Sequence, residues 1–415
     1  MKKSIFGILF FFACSASTWS QETQGISLKM ALELALENNP QVKAAIRHID
    51  GQRGSFWRSI SPPPLTASVN YAFVPIGAGF DQFSERTIEL SQAFDFPTTI
   101  VLRGLLASTE ISAAEVEYAT IVNEISAQVK IAYCSVLAKK QKLDLAKENQ
   151  SIAEEFARKS SIRRTVGEGT MLEQLTANVQ RTQAQNALET AANELRIASN
   201  ELELHLGIHR DSMRGELTLA DSVVRKPHSL TLEQLNQIAS VSNTQLRGSS
   251  TQRDIASAGY SLAWSSLLPN FSASYFRQTR DGISGLYGVS LSVSVPLWFL
   301  FDQRGQIQSA SANFSIAEYE LLRTQNSVAV AVKTAFYETL NNERQLELFH
   351  TEILPQAAEI LRTAKASFDA GDITYLEFLQ ARQTVVQARA SYIDVLFSYN
   401  VAMARLEQTI GKTLE

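Results

Sequence analysis

Two cysteines and five methionines in 415 residues leave little material for disulfide or soft-metal chemistry. Cys14 sits in an apolar N-terminal stretch, so the body of the chain holds only Cys134, which excludes an intramolecular disulfide and a cysteine metal cluster. His205 and His209 are four apart, but Gly207 interrupts them near a predicted helix end and no glutamate completes a zinc-protease motif, which disfavours a metal role. No Walker loop, no G-x-S-x-G elbow and no dinucleotide fingerprint occurs, so neither an enzyme nor a cofactor has a foothold. The net charge of −4 carries no basic excess and gives no case for nucleic acid. Beyond the N-terminus, no apolar run reaches the roughly 18 residues of a membrane-spanning helix.

The N-terminal run itself reads as a secretory leader over residues 1–20: Lys2 and Lys3, an apolar stretch from Ile5 to Ala13, then small residues from Ser15 to Ser20. Cleavage after Ser20 removes two lysines and leaves a net charge of −6. Lipidation of Cys14 is the less favoured reading, because Phe11-Phe12-Ala13 lacks the leucine usual before a lipidated cysteine. The chain is therefore expected to be exported.

What the chain has in quantity is itself, twice. Val166-Gly-Glu-Gly-Thr-Met-Leu-Glu-Gln-Leu-Thr-Ala177 recurs as Ala370-Gly-Asp-Ile-Thr-Tyr-Leu-Glu-Phe-Leu-Gln-Ala381, with Gly167 against Gly371 and Glu173 against Glu377. The same offset of 204 pairs Leu28 with Leu232, Asn39 with Asn243 and Gly207 with Gly411. Solenoid repeats run about 20–50 residues, so this is a duplicated half-protein. The first repeat covers 21–207 and the second 231–411, with 208–230 as a linker that adds a short strand around Leu217–Leu219.

Within the first repeat, Ile26–Ile60 is predicted helical with a break at Pro40, and Pro62-Pro63-Pro64 stops it. Residues 65–96 predict a hairpin: Leu65, Ala67, Val69, Tyr71 and Phe73 alternate with Thr66, Ser68 and Asn70, then Ile88, Leu90 and Phe94 with Thr87, Glu89 and Ser91. No proline falls between Ile100 and Arg164, so a helix of roughly 100 Å is expected there. The turn at Gly167-Glu-Gly169 returns it as Met171–Leu206, where Leu188, Leu195 and Leu202 alternate with Ala191 and Ala198 in a close-packed seam. The second repeat follows the plan: a helix over 232–268 with Thr231 and Gln234 as its capping box, a hairpin at about 271–297, and a helical hairpin over 303–411 kinked or broken at Pro355. The strand at Phe271–Thr279 is less regular, with Phe276 and Arg277 spoiling its alternation.

Strands of about ten residues with one apolar and one polar face suit a membrane barrel, but equally a soluble sheet. Single-chain barrels begin at about eight strands, and open edges do not survive in lipid. Four strands must therefore be shared between protomers, or belong to soluble hairpins on a helical body.

Leu28-Lys-Met-Ala-Leu-Glu-Leu-Ala-Leu-Glu-Asn-Asn-Pro40, Val293-Ser-Val-Pro-Leu297 and Gly371–Gln387, in the order helix–hairpin–long helix–turn–helix taken twice, resemble the TolC family of outer-membrane efflux channels with its OprM-like and CzcC-like branches. The resemblance covers essentially the whole chain after the leader. It implies a mainly α protein with a membrane β part: a homotrimer whose chains each give two hairpins to a shared twelve-stranded barrel and long antiparallel helices to a periplasmic tunnel. The implied function is passive exit duct of a tripartite efflux pump or type I secretion system in a Gram-negative outer membrane, working with a periplasmic adaptor and an inner-membrane transporter. Val166, Gly167, Glu168, Ala370, Gly371 and Asp372 would then form the tip where the adaptor docks. Glu173 and Glu377 match carboxylates that narrow the closed tip, whereas Gln380 stands where the family has another acid. Three copies of Glu377 would make a cation-favouring ring, while solvated surface glutamates remain the plainer alternative. The rival reading is an exported coiled-coil scaffold or pump adaptor without a membrane barrel. An adaptor, however, would carry one helical hairpin between β-rich flanks, and this chain has two hairpins.

Overall fold

The structure, a computed structural model, describes residues 25–208, 219–221, 230–297 and 299–414. The predicted leader with Cys14, most of the 208–230 linker and His209 lie outside the described residues.

In chain order the elements are α1 (Leu28–Asn38), α2 (Pro40–Ile60), β1 (Thr66–Ala72), β2 (Glu85–Phe94), α3 (Pro97–Thr165), α4 (Met171–Leu206), α5 (Leu232–Ser242), α6 (Thr244–Ser265), β3 (Asn270–Arg280), β4 (Ile283–Ser294), α7 (Asp302–Leu348), α8 (Leu354–Ala370) and α9 (Tyr375–Ile410). The duplication survives as geometry. α1 and α5 are both 11 residues long, α4 and α9 both 36, and each pair begins and ends 204 residues apart. α3 runs 69 residues without interruption, roughly 100 Å.

Each half has its own core, built from corresponding positions. Ala31, Ala35, Val42, Val129, Tyr133, Leu202 and Leu206 are buried together in the first. Leu235, Ala239, Val332, Leu406 and Ile410 form the second, four of them at the 204-residue counterparts of Ala31, Ala35, Leu202 and Leu206. Along α4, Ala177, Ala184 and Ala198 are buried at heptad spacing, so small residues let α4 lie close along α3.

The helix expected over 232–268 is in fact two, divided at Asn243. Proline does not cause this break, since residue 244 is threonine; asparagine causes it at both positions. The Asn39 side chain caps α2 by accepting from the Gln41 amide at 2.8 Å and donates to the His205 carbonyl at 3.3 Å. Asn243 caps α6 through the Leu246 amide at 2.7 Å and donates to the Thr409 carbonyl at 2.6 Å. Each asparagine thus starts one helix and ties it to the last turn of another. Pro355 does not end its helix either: five residues, Phe349–Ile353, take π-helical pitch and link α7 to α8 with no non-helical residue between them.

The four strands make one antiparallel sheet in the order β1-β2-β3-β4. Its second hairpin is tighter than expected, because β4 starts at Ile283 and only Asp281 and Gly282 turn the chain, both with positive φ. β3 stays in register through Phe276 and Arg277, so its chemical alternation is interrupted there, with Arg277 on the apolar face beside Ile88 and Tyr287. Phe276 points to the polar face and covers Gly288, where a Cβ would meet the ring at 2.4 Å.

Candidate functional site

Cross-strand register sorts the sheet into two chemical faces. Val69, Ile88, Leu90, Phe271, Tyr275, Val289, Leu291 and Val293 lie on one, and Ser68, Asn70, Thr87, Glu89, Ser274, Ser290 and Ser292 on the other. The apolar face is uncovered: Leu291 is 81 % exposed and Val289 68 %. β1 and β4 are edge strands whose outward backbone groups have no place in this sheet. The sheet thus leaves both an apolar face and two strand edges uncovered among the described residues, the kind of surface that marks an interaction site. Among the described residues, no helix is long and apolar enough to cross a membrane.

The opposite end of the molecule carries the two turns. α3 and α8 both stop with a left-handed glycine, Gly167 at φ 83° and Gly371 at φ 82°. Backbone bonds from Glu168 to Arg163 and from Asp372 to Ser367 close these ends. Nothing lies within 4 Å of a Cβ built at either glycine, so the turns need glycine for conformation and not for space. Val166, Gly167, Glu168, Ala370, Gly371 and Asp372 are all exposed.

Glu173 and Glu377 each occupy the third position of a return helix begun by threonine. Glu377 completes a capping box, accepting from the Thr374 amide at 2.7 Å and hydroxyl at 2.8 Å. Those hydrogen bonds hold its carboxyl below the usual range. Glu173 instead pairs with Arg163 on α3 at 3.1 Å. Gln380 is exposed one turn further along α9.

Beneath the turns, the two helical hairpins meet through an aromatic group that sequence reading did not pick out. Phe156 of α3 lies 5.1 Å from Phe378 and 5.5 Å from Tyr375 of α9, and Phe368 of α8 lies 5.2 Å from Phe378. Next to it, Arg382 is 6 % exposed and donates to the Asn149 carbonyl at 2.8 Å and side-chain oxygen at 2.6 Å. Desolvation pushes its guanidinium below its ordinary value. A cleft of about 290 Å³ between α3, α8 and α9 is lined by Phe156, Phe368, Phe378 and Arg382 with Lys365 and Arg389. The same α3–α9 seam continues through Arg389–Glu148 at 3.1 Å, Lys142–Asp394 at 2.5 Å and Lys130–Glu407 at 2.6 Å. The sequence signal for Arg382 was present: an arginine on the register of the buried Phe378 and Val385 stripe.

A four-stranded sheet with open edges, joined to two helical hairpins whose long arms run about 100 Å, gives the chain a protomer fold similar to that of solved outer-membrane channels. Residues 235–412 match the family model described as outer membrane efflux protein. The cobalt-zinc-cadmium resistance protein CzcC of Cupriavidus metallidurans is 24 % identical over 409 residues, 93 % of this chain and 90 % of that protein. The outer membrane channel CmeC of Campylobacter jejuni superposes with a TM-score of 0.79 at 16 % identity, over 92 % of this chain and 85 % of CmeC. The open-state outer membrane channel MtrE of Neisseria gonorrhoeae does so with a TM-score of 0.76 at 14 % identity, over 94 % and 89 %.

Proposed function

We propose that this protein is the passive outer-membrane exit duct of an efflux pump, working as a homotrimer in a Gram-negative envelope. The observation that carries the reading is the sheet: an uncovered apolar face between open edges, with a polar opposite face. Three such sheets joined edge to edge make twelve strands, remove every open edge, and put the apolar face on lipid and the serine-rich face on water. The helical hairpins would continue that conduit through the periplasm. CmeC and MtrE are channels by name, and CzcC is a resistance protein; the efflux role is carried to this chain from that likeness.

In this reading the exposed turns at Val166–Glu168 and Ala370–Asp372 receive a periplasmic adaptor, which couples the duct to an inner-membrane transporter. Their uncluttered left-handed glycines support it, since a partner backbone can come close there. Glu377, with Glu173 and Gln380 nearby, would line the narrow end, where three capping-box carboxylates favour cations. Fractionation followed by mass analysis in detergent tests the reading. A trimer in the outer-membrane fraction that falls to monomer on boiling is expected; a soluble periplasmic monomer would refute the duct and favour a coiled-coil scaffold.

A further inference from the structure

Arg382 is buried without a counter-ion. Its Nη2 carries both bonds to Asn149, and Nε and Nη1 donate to nothing among the described residues. The nearby carboxylates are engaged elsewhere, Glu148 with Arg389 at 3.1 Å and Glu155 with Lys159 at 2.7 Å. Asp369 and Lys365 complete the charged lining of the cleft, so its charges balance except for Arg382. Taking a guanidinium out of water is costly, and two neutral oxygens repay that cost only in part. The fold itself does not demand this arrangement. At the 204-residue counterparts of Phe368, Phe378 and Arg382 the first repeat has Arg164, Gln174 and Asn178, and the groove lined there by Gln174, Asn178 and Arg181 has no aromatic wall.

We propose that the cleft between α3, α8 and α9 binds a small organic carboxylate with an aromatic or alkyl body. The carboxylate accepts from the guanidinium donors that Asn149 leaves unused, and supplies the missing counter-charge. The body lies against Phe156, Phe368 and Phe378, which give the cleft its apolar wall. About 290 Å³ falls at the low end for ligand sites, which sets the occupant's size as small. The site lies within one chain and does not depend on the duct reading. Its occupant touches α3 of the first repeat and α8 and α9 of the second, so binding tightens the seam that joins the two hairpins below their turns.

Titration calorimetry of the full-length protein in phospholipid nanodiscs tests this, with phenylbutyrate as probe and its uncharged amide, phenylbutyramide, as comparison. Saturable binding of the acid is expected, with the amide about tenfold weaker because it lacks the charge-assisted hydrogen bond. Bound phenylbutyrate should also slow amide exchange across Phe378–Arg389. Arg382→Leu should bring acid and amide to the same affinity. Because that variant also loses the bonds to Asn149, a second one leaves them in place: Val386→Trp builds a ring into the cleft from its α9 wall and should abolish binding. Absence of saturable binding to the unmodified protein overturns the proposal. So does equal affinity for acid and amide, or binding that survives Val386→Trp.

Discussion

Arg382 on α9 and Asn149 on α3, 233 residues apart, are joined by two hydrogen bonds at a place where the arginine is almost wholly buried. The bond to the backbone carbonyl fixes the height of one hairpin against the other, and the bond to the side chain fixes its rotation. Hydrogen bonds to a charged group contribute about 1.5–3 kcal/mol each, and stranding one partner costs desolvation besides. Arg382→Ala is therefore expected to loosen the α3–α9 seam below Lys142, read as faster amide exchange in Phe378–Arg389 while exchange at the α1 and α5 level is unchanged. Arg382→Lys, which supplies a donor without the fork, should recover part of the protection. Equal exchange in all three proteins would remove the bond from the account.

The four helix-ending glycines separate into two kinds. At Gly167 and Gly371 alanine meets only the left-handed penalty, about 1–2 kcal/mol. At Gly207 and Gly411 a Cβ would also strike backbone, at 2.8 Å from Asn38 and 2.2 Å from Ser242. Gly411→Ala should thus lower thermal stability and trimer yield well beyond Gly371→Ala. The reverse order would show that the tip turns carry more of the fold than their open surroundings indicate.

Glu377 serves as a helix cap whether or not it also serves as a gate, and one substitution separates the roles. Gln234 fills the same place in the Thr231 capping box, so Glu377→Gln keeps the cap and removes the charge. The duct reading expects it to reduce cation preference in planar-bilayer conductance with the tip still folded, and Glu377→Ala to fray α9 as well. An unchanged ion preference would leave the cap as the whole role. Because the folded carboxyl titrates low, its stabilisation is present above the ordinary glutamate range and is lost as pH falls through the lower folded value. Amide protection at Thr374–Phe378 should accordingly persist at pH 5 and fade in stronger acid.

Burial pushes the Cys134 thiol up to about 11. Below that pH the group stays a neutral thiol, and thiolate is the reactive form. Alkylation by iodoacetamide at pH 8 should be far slower than in denaturant and should rise steeply only toward pH 11. Rapid labelling of the folded protein at pH 8 would contradict the packing around α3.

Legibility from the sequence followed the range of the interactions. Helix ends, the Thr231 capping box, the turn glycines and the sheet's alternating faces are decided within a few residues, so period and punctuation reveal them. The division at Asn243 was legible only in part: its counterpart Asn39 was visible, but the adjacent proline drew the attention due to the asparagine. The aromatic group of Phe156, Phe368, Tyr375 and Phe378 was not legible, because its members come from three helices.

The sequence by itself determined that this protein is two copies of one plan, with strands of two-faced chemistry and helices too long for a compact globule. Tertiary structure alone decided which side chains close the halves on each other. Arg382–Asn149 and Lys130–Glu407 join the halves across 233 and 277 residues, and the Asn39 and Asn243 ties each close one half on itself across 166. The reason is geometric. Local spacing says which face of a helix is buried, but the partner on that face depends on how a rod of about 100 Å and its 36-residue neighbour are registered, and that register is fixed only by packing along their shared length.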